Sequence, residues 1–509
     1  MSQSIKIEGS LLAKNTILNF IGQVVPLLVA VVTIPYIIHH LGPERFGIFS
    51  LAFVVLGYFT IIDLGLGRAT TKFVAEALGK GETEQIPAIV WTSLIFTSVL
   101  GLAGELILIS ITPLLVERVL NVPFYLIEET KSVFYIISAT LLIVLITATL
   151  SGLLEAYQRF DLLNTLKIPS NVLTYVIPAI ALFFGAGLPI IVLLLLMKNL
   201  CILLIYLFLT LKVMPATTRP FFRVDFKVAN SLFSFGGWMA LHNAAATILL
   251  YLDRFLVGIF LTMSAVTYYI VSYELANRFL IITSSMMAVL FPAFSSLEAM
   301  DKEKLQKLFV RALKYLILIM GLISGIVFIF SKEILLLWLG NEFTMKSTVV
   351  LQIFAIGAFL CSLAWIGGVV LQATGNPKVV TIIHILQVPI YILSTWLLIK
   401  TMGIEGAALS WTIRILLSSV LLFFTCWKVR LFKPIFLLQN GSFKFAVVLC
   451  VISGITIVIK SFIPFSLINI SLIFSGFMML MLVIIWKWVL DQEDKAFIIC
   501  TVNSFNLKN

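Results

Sequence analysis

Residues 188–213 read LPIIVLLLLMKNLCILLIYLFLTLKV. An apolar run of that length exceeds the roughly 20 residues an α-helix needs to cross the hydrocarbon core of a bilayer. No water is there to satisfy peptide groups, so the run must close its own hydrogen bonds as a helix. Only Lys198 and Asn199 interrupt it before Thr210 and Lys212. Comparable runs begin near Asn15, Phe46, Pro87, Ser132, Lys167, Ser231, Ala265, Leu313, Val349, Val379, Ile404, Phe443 and Ser466. With the run at Leu188 they predict an all-α polytopic membrane protein of about fourteen transmembrane helices.

Composition agrees. The 509 residues are 61% hydrophobic and 12% charged, with a mean hydropathy of +1.12, far above the roughly 45–50% apolar content of soluble chains. The formal charge of +11 does not point to nucleic acid, because the basic residues fall in short loops between apolar runs. Placing the amino terminus in the cytoplasm sends Lys212–Lys227, Lys302–Lys314 and Lys428–Lys444 to the same side, as the positive-inside rule requires. Both termini are then cytoplasmic. Trp91, Trp338, Trp427, Trp486 and Trp488 sit near helix ends as interfacial anchors. Cys201, Cys361, Cys426, Cys450 and Cys500 lack metal-ligand spacing, as do His39, His40, His242 and His384, so neither a metal nor any other cofactor is expected.

Internal similarity divides the chain. Leu41-Gly-Pro-Glu-Arg-Phe-Gly and Leu261-Thr-Met-Ser-Ala-Val-Thr each join a first span to a second, while Gly152-Leu-Leu-Glu-Ala-Tyr-Gln and Gly368-Val-Val-Leu-Gln-Ala-Thr each close a fourth. Within each pair the copies lie about 215–220 residues apart, or six spans. The expected organisation is two pseudo-symmetric six-helix lobes, 1–228 and 229–430, followed by two additional C-terminal helices and a tail in 431–509. Two such lobes can rock about a site between them and open it alternately to either side.

Charge inside a span is costly, roughly 2.5–3.5 kcal/mol per residue, so the buried polar groups are the candidate site. Asn15, Asn19 and Gln23 recur every fourth residue in the first helix, ahead of Pro26; Asn243, Thr247, Tyr251 and Arg254 form the counterpart in the seventh. Packing between helices is the alternative for any one of these amides. Glu274, Asn277 and Arg278 lie near the middle of the eighth helix. Glu274 and Arg278 have the i, i+4 spacing of a self-neutralising pair, yet a mid-span guanidinium is rarely placed except toward a wet cavity. There its fork could grip phosphate while amides and tyrosines meet hydroxyls. Asp253 beside Arg254 reads as a gate or an interfacial pair. The stretch Asp63-Leu-Gly-Leu-Gly-Arg68 reads as closing the second helix on the cytoplasmic side, with Asp63 and Arg68 pairing across a gate or capping a loop. Lys198 and Arg414 occupy corresponding places in the sixth helix of each lobe. Gly321 and Gly325 suit a packing seam.

The phosphate-cradling pattern G-x-x-x-x-G-K-[ST] is absent, and the longest hydrophilic segments run about 20 residues, too short for a nucleotide-binding domain. No nucleophile–base–carboxylate cluster stands out in a large outer loop, so the chain reads as a non-enzyme.

Thr33-Ile-Pro35, Leu41-Gly-Pro-Glu-Arg-Phe-Gly47, Asp63-Leu-Gly-Leu-Gly67, Leu252-Asp-Arg-Phe-Leu-Val-Gly258 and Leu371-Gln-Ala-Thr-Gly-Asn-Pro377, in that order and spacing, resemble the polysaccharide-export branch of the multidrug/oligosaccharidyl-lipid/polysaccharide flippase superfamily. That branch includes the Wzx-type O-antigen flippases. The resemblance implies a bacterial inner-membrane protein that moves an undecaprenyl-diphosphate-linked oligosaccharide between leaflets by alternating access. It also implies roles for membrane lipid, a coupling proton or sodium ion and a partner polysaccharide polymerase. Arg278 and Arg254 are the positions that would supply the family's cationic cavity. The chain departs from the family pattern after Gly258, where Phe260-Leu-Thr-Met-Ser lacks a second glycine. The alternatives are a cation-coupled multidrug antiporter of the same superfamily, which an acidic cavity would suit better, and a membrane-embedded glycosyltransferase or polymerase.

Overall fold

The structure, a computed structural model, describes residues 9–63, 65–214, 244–431, 441–464, 466–492 and 494–495; the side chains of residues 9–21, 23, 62, 299 and 442 lie outside that description. Every regular element among the described residues is helical. In chain order these are α1 (Gly9–Leu41), α2 (Pro43–Phe59), α3 (Leu66–Lys80), α4 (Ile86–Leu114), α5 (Ile127–Ala156), α6 (Phe160–Phe183), α7 (Leu188–Val213) and α8 (residues 244–260). They are followed by α9 (Met263–Asn277), α10 (Leu280–Met300), α11 (Lys302–Ile329), α12 (Ser331–Leu339), α13 (Asn341–Ala373), α14 (Pro377–Lys428), α15 (Ser442–Phe462) and α16 (Leu467–Ile484).

Eleven helices among the described residues are long and apolar enough to cross a membrane, against the expectation of about fourteen. The run beginning at Ser231 lies partly outside the described residues, and the rest of the difference has physical sources. At 17 residues α2 falls short on its own. The 52 residues of α14 count once, although at 1.5 Å per residue they would extend about 78 Å, far beyond one bilayer. Gly403 (φ 59°, ψ −134°) breaks α14 into two legs.

One reading of helix boundaries is extended and one is corrected. Asp63-Leu-Gly-Leu-Gly-Arg68 does follow the end of α2, as expected, but a further helix begins within it. A single turn over Thr60–Asp63 follows α2, Gly65 takes φ 73°, and the chain resumes as α3 for fifteen residues. That left-handed φ has no penalty for a residue without a Cβ, which is why the break falls on glycine. The run beginning at Ala265 is likewise interrupted, α9 ending at Asn277 and α10 starting at Leu280, so Arg278 occupies a turn rather than a helix middle.

The chain forms two compact units, Met1–Ile270 with Thr395–Ile404, and Val271–Ser394 with Glu405–Asn509. The lobe boundary expected at 228/229 lies outside the described residues. In the first unit α5 is the central strut, packed against α3, α4 and α7, while α6 lies between α1 and α7. Close approach of α3 and α5 rests on Gly67 and Gly152: a Cβ on Gly152 would lie 2.7 Å from the Gly67 carbonyl oxygen. Thr71 Oγ1, itself near enough to donate to either carbonyl, contacts Gly152 O at 3.0 Å and Gly67 O at 3.1 Å. In the second unit α13 packs against α10, α11 and α12, and α15 lies on α11. Gly321 and Gly325 form a seam there against Phe445 and Leu449, the packing role expected of them. Asp301 caps α11, its carboxylate accepting from the backbone N–H of Glu303 and Lys304 at 3.0 Å.

Candidate functional site

In the first unit, α2 meets α8 and the start of α9 along a seam of small residues. A Cβ on Gly47 would stand 2.0 Å from the carbonyl oxygen of Met263, one on Gly57 would stand 2.6 Å from the Tyr251 ring, and one on Gly258 would stand 2.7 Å from Leu51. Thr267 Oγ1 donates to Pro43 O at 2.5 Å, and the Asn121 N–H donates to Gly258 O at 3.0 Å. At Gly47 backbone meets backbone with no intervening side chain, and at Gly57 and Gly258 the missing Cβ makes room for the Tyr251 ring and the Leu51 side chain, the close approach that van der Waals packing and interhelical hydrogen bonds favour in a membrane.

Behind this seam lie the charged candidates. Asp253 is fully buried and accepts a hydrogen bond from the Tyr269 hydroxyl, whereas its Oδ1 has no hydrogen-bond partner. Arg254 is 6% exposed, with its guanidinium carbon 5.4 Å from the centre of the Tyr251 ring, within cation–π reach. Tyr58 from α2 meets Tyr251 and Phe255 edge-to-face at 6.0 and 5.7 Å. A buried carboxylate with an oxygen to spare and a buried guanidinium over an aromatic face form a polarised pair of adjacent positions. Taking each charge out of water carries a penalty of several kcal/mol.

The second unit holds the other group. Arg278 and Glu274 pair at 2.9 Å, each about one-third exposed, so the i, i+4 pairing read from the spacing is present. Asn277 donates from Nδ2 to the Tyr273 carbonyl at 2.9 Å. The Tyr273 ring packs edge-to-face on Phe354 and Trp411, fixing this end of α9. Since α9 ends here, the guanidinium stands beside a helix break, where carbonyls leave the regular ladder.

Asn19 and Gln23 belong to α1 but their side chains lie outside the described residues, as does Asn243 altogether. Asp63 and Arg68 flank the α2–α3 break without forming an ion pair with each other; Arg68 is exposed and Asp63 half-buried. The corresponding cations differ in their surroundings. Lys198 donates to Thr174 Oγ1 at 3.0 Å, whereas Arg414 lies 4.8 Å over the Tyr391 ring.

Sequence reasoning missed the ion pairs that join distant segments. Arg45 grips Glu129 with Nε at 2.9 Å, and Lys131 bridges Glu117 and Glu128 at 2.7 Å each. Lys460 of α15 reaches the buried Glu333 of α12 at 2.7 Å and lies 4.8 Å over the Phe330 ring. Lys314 and Asp494 pair at 2.5 Å with side chains 4% and 2% exposed. Apart from Lys131 and Glu128, no short-range spacing signals any of these pairs.

The model of the family described as polysaccharide biosynthesis protein matches residues 12–298, more than half of the chain. The chain belongs to that family. As a polysaccharide biosynthesis protein it is 26% identical over 409 residues to a Shigella flexneri protein designated an O-antigen transporter, covering 80% of this chain and 96% of that relative. Among solved structures, the lipid II flippase MurJ in an inward closed conformation superposes with a TM-score of 0.72, at 14% identity, over 92% of this chain and 97% of that one. An inward-facing multidrug resistance MATE transporter of the MOP superfamily gives 0.70, at 14% identity, over 80% and 94%. At those identities the structural likeness establishes the fold alone: this polysaccharide biosynthesis family member is a helical polytopic membrane protein with the fold of those two transporters.

Proposed function

We propose that the protein is a flippase that carries a polyprenyl-diphosphate-linked oligosaccharide from the cytoplasmic to the outer leaflet of a bacterial inner membrane, supplying cell-surface polysaccharide synthesis. The observation that carries the reading is family membership together with the match over 96% of the Shigella flexneri O-antigen transporter. The site chemistry supports it. A diphosphate and many hydroxyls cannot cross hydrocarbon bare, since each unsatisfied polar group costs several kcal/mol. Arg278, one-third exposed and paired with Glu274, would exchange that partner for the diphosphate through its planar fork. Asn277, Tyr251 and the amides Asn19, Gln23 and Asn243 would meet sugar hydroxyls. Arg254 would add positive potential.

The mechanism follows from the two-lobe organisation read in the repeat, residues 1–228 and 229–430, with two further helices in 431–509 and fourteen spans in all. With both termini cytoplasmic, the seam of Gly47 on Met263 would lie toward the outer face. It would close that face while the substrate enters from inside, and would part as the lobes rock; Asp253 and the Asp63–Arg68 break would be the gating positions. The sugar would pass through the protein while the prenyl tail stays in lipid. A proton or sodium ion would drive the return, and a polysaccharide polymerase would take the product. Nothing in this cycle makes or breaks a covalent bond, so the protein would act as a carrier and not as an enzyme.

Deleting the gene should abolish surface glycan and leave the lipid-linked oligosaccharide open to a membrane-impermeant reagent only from the cytoplasmic side of inverted vesicles. Arg278→Ala, expressed at wild-type abundance, should lower the translocation rate about 10- to 100-fold, the worth of a lost charge-assisted hydrogen bond. Arg278→Lys should fall between, because an ammonium keeps the charge without the fork. Normal glycan in Arg278→Ala would remove the guanidinium from the mechanism. Loss of sugar transfer, with no lipid-linked oligosaccharide formed, would identify a transferase instead.

A further inference from the structure

Three helices of the first unit enclose a pocket that the transport reading does not use. Helices α5 and α6 both pack on α7 but touch each other far less, and the gap between them is a pocket of about 240 Å³. That is room for about eight waters, or for one sugar-phosphate-sized group. Its polar lining is Thr147 and Ser151 from α5, Lys167, Ser170 and Asn171 from α6, and Asn199 from α7. One wall is shared with the apolar cluster of Leu150, Leu154, Leu163 and Tyr206.

The hydrogen-bonding state of these groups separates filler from function. Thr147 and Ser151 spend their hydroxyl hydrogens on backbone carbonyls one turn back, at 2.7 and 2.9 Å. The side-chain amides of Asn171, which is exposed, and of Asn199, which is partly buried, by contrast make no hydrogen bond among the described residues. In a run as apolar as residues 188–213, an idle amide is expensive unless water or a ligand satisfies it. Charge has one sign in the lining itself. Lys167 is half-exposed, held at 3.3 Å by Glu155 outside the pocket lining. One turn beyond Asn171, Thr174 holds Lys198, the neighbour of Asn199. No carboxylate is among the lining residues.

We infer that this pocket is a binding site for one phosphate group flanked by hydroxyls, with Lys167 drawing the phosphate and Asn171 and Asn199 pairing with the hydroxyls. Two sources share that chemistry, a glycosyl phosphate and the headgroup of phosphatidylglycerol. The inference does not depend on the flippase reading, because occupancy of the pocket is read by binding alone.

The test is thermal unfolding of the full-length protein in phosphatidylcholine nanodiscs, titrated with glucose 1-phosphate, inorganic phosphate and glucose. Glucose 1-phosphate should raise the Tm with saturation, and glucose or inorganic phosphate alone should act at least tenfold more weakly. Asn171→Leu and Asn199→Leu, from opposite helices, should each reduce the apparent affinity about tenfold, the worth of a hydrogen bond or two. With two independent variants, misfolding of one leaves the test intact. Nanodiscs containing phosphatidylglycerol separate the sources: a higher starting Tm that both leucine variants lose assigns the pocket to lipid. If neither probe nor lipid moves the wild-type Tm, or if the variants respond as the wild type does, the inference is overturned. Equal effects of inorganic phosphate and glucose 1-phosphate would overturn the hydroxyl half of it.

Discussion

Replacing Gly47 by alanine is expected to destabilise the first unit by about 3 kcal/mol, at the upper end of what one methyl group forced into a packed interface costs. The added Cβ would stand 2.0 Å from the Met263 carbonyl oxygen, 2.9 Å from its carbon and 3.1 Å from Thr267 Oγ1. Two of those atoms are backbone, so no rotamer relieves the clash, and α2 must separate from the start of α9. That separation also strains the hydrogen bond from Thr267 to Pro43. Purified Gly47→Ala should show a lowered Tm and faster amide exchange over residues 263–270. Gly79→Ala is the control: it lies in α3 with no atom within 4 Å of the new methyl, and alanine's better helix propensity should leave stability equal or raise it by up to about 1 kcal/mol. Equal Tm values for Gly47→Ala and wild type would mean that the helices do not approach this closely. On the flippase reading the same variant should bias the protein toward the state in which the outer seam is open, raising labelling of a cysteine placed on its inner surface.

The second large effect is expected at the base of α11. Lys314, 3% exposed, donates to Asp494 at 2.5 Å and to Asp491 at 3.2 Å; the Tyr315 hydroxyl donates to the other Asp494 oxygen at 2.6 Å, and Arg311 stands 3.4 Å away. This network fastens the segment after α16 to the body of the second unit. Asp494→Ala would strand a buried ammonium with one longer contact, at a cost of about 3–5 kcal/mol, whereas Lys314→Met with Asp494→Leu should recover most of it, since a well-packed apolar pair replaces both charges. Recovery failing in the double variant would show that the cost lies elsewhere. Acid should mimic the single variant. Burial pushes the Asp494 carboxyl up, but the hydrogen bonds from Lys314 and Tyr315 outweigh it and hold the group below its ordinary value. The folded state thus binds fewer protons than the unfolded one between the lowered and the ordinary pKa. The stability contributed is complete above about pH 5 and is lost as the pH falls below about 4. Wild type should lose Tm over that window relative to the double variant; parallel curves would exclude Asp494 as the titrating group.

How much of the site was legible differs residue by residue. Glu274 and Arg278 were legible because a pair one helical turn apart is a local property of an α-helix. The hydrogen bond between Tyr269 and Asp253, 16 residues apart on different helices, was not. The same holds for Lys314 and Asp494, which are 180 residues apart. Asp63-Leu-Gly-Leu-Gly was legible as the end of α2 because its glycines and charges look like loop chemistry, but the further helix that starts at Leu66 was not. A break and a terminus carry the same local signals, and only the packing of the next fifteen residues tells them apart.

By itself the sequence determined that this protein lives in a membrane as a bundle of helices, because lipid offers no partner to a peptide group and the chain is apolar over runs long enough to cross it. It also narrowed the ionisable groups to a few positions, since each one inside a span is costly. The tertiary structure alone decided where helices break, which glycines exist to let backbones touch, which carboxylate meets which cation, and that α5 and α6 part to leave a polar pocket. Those outcomes depend on side chains brought together from distant parts of the chain, and periodicity along a single helix carries no record of its neighbours.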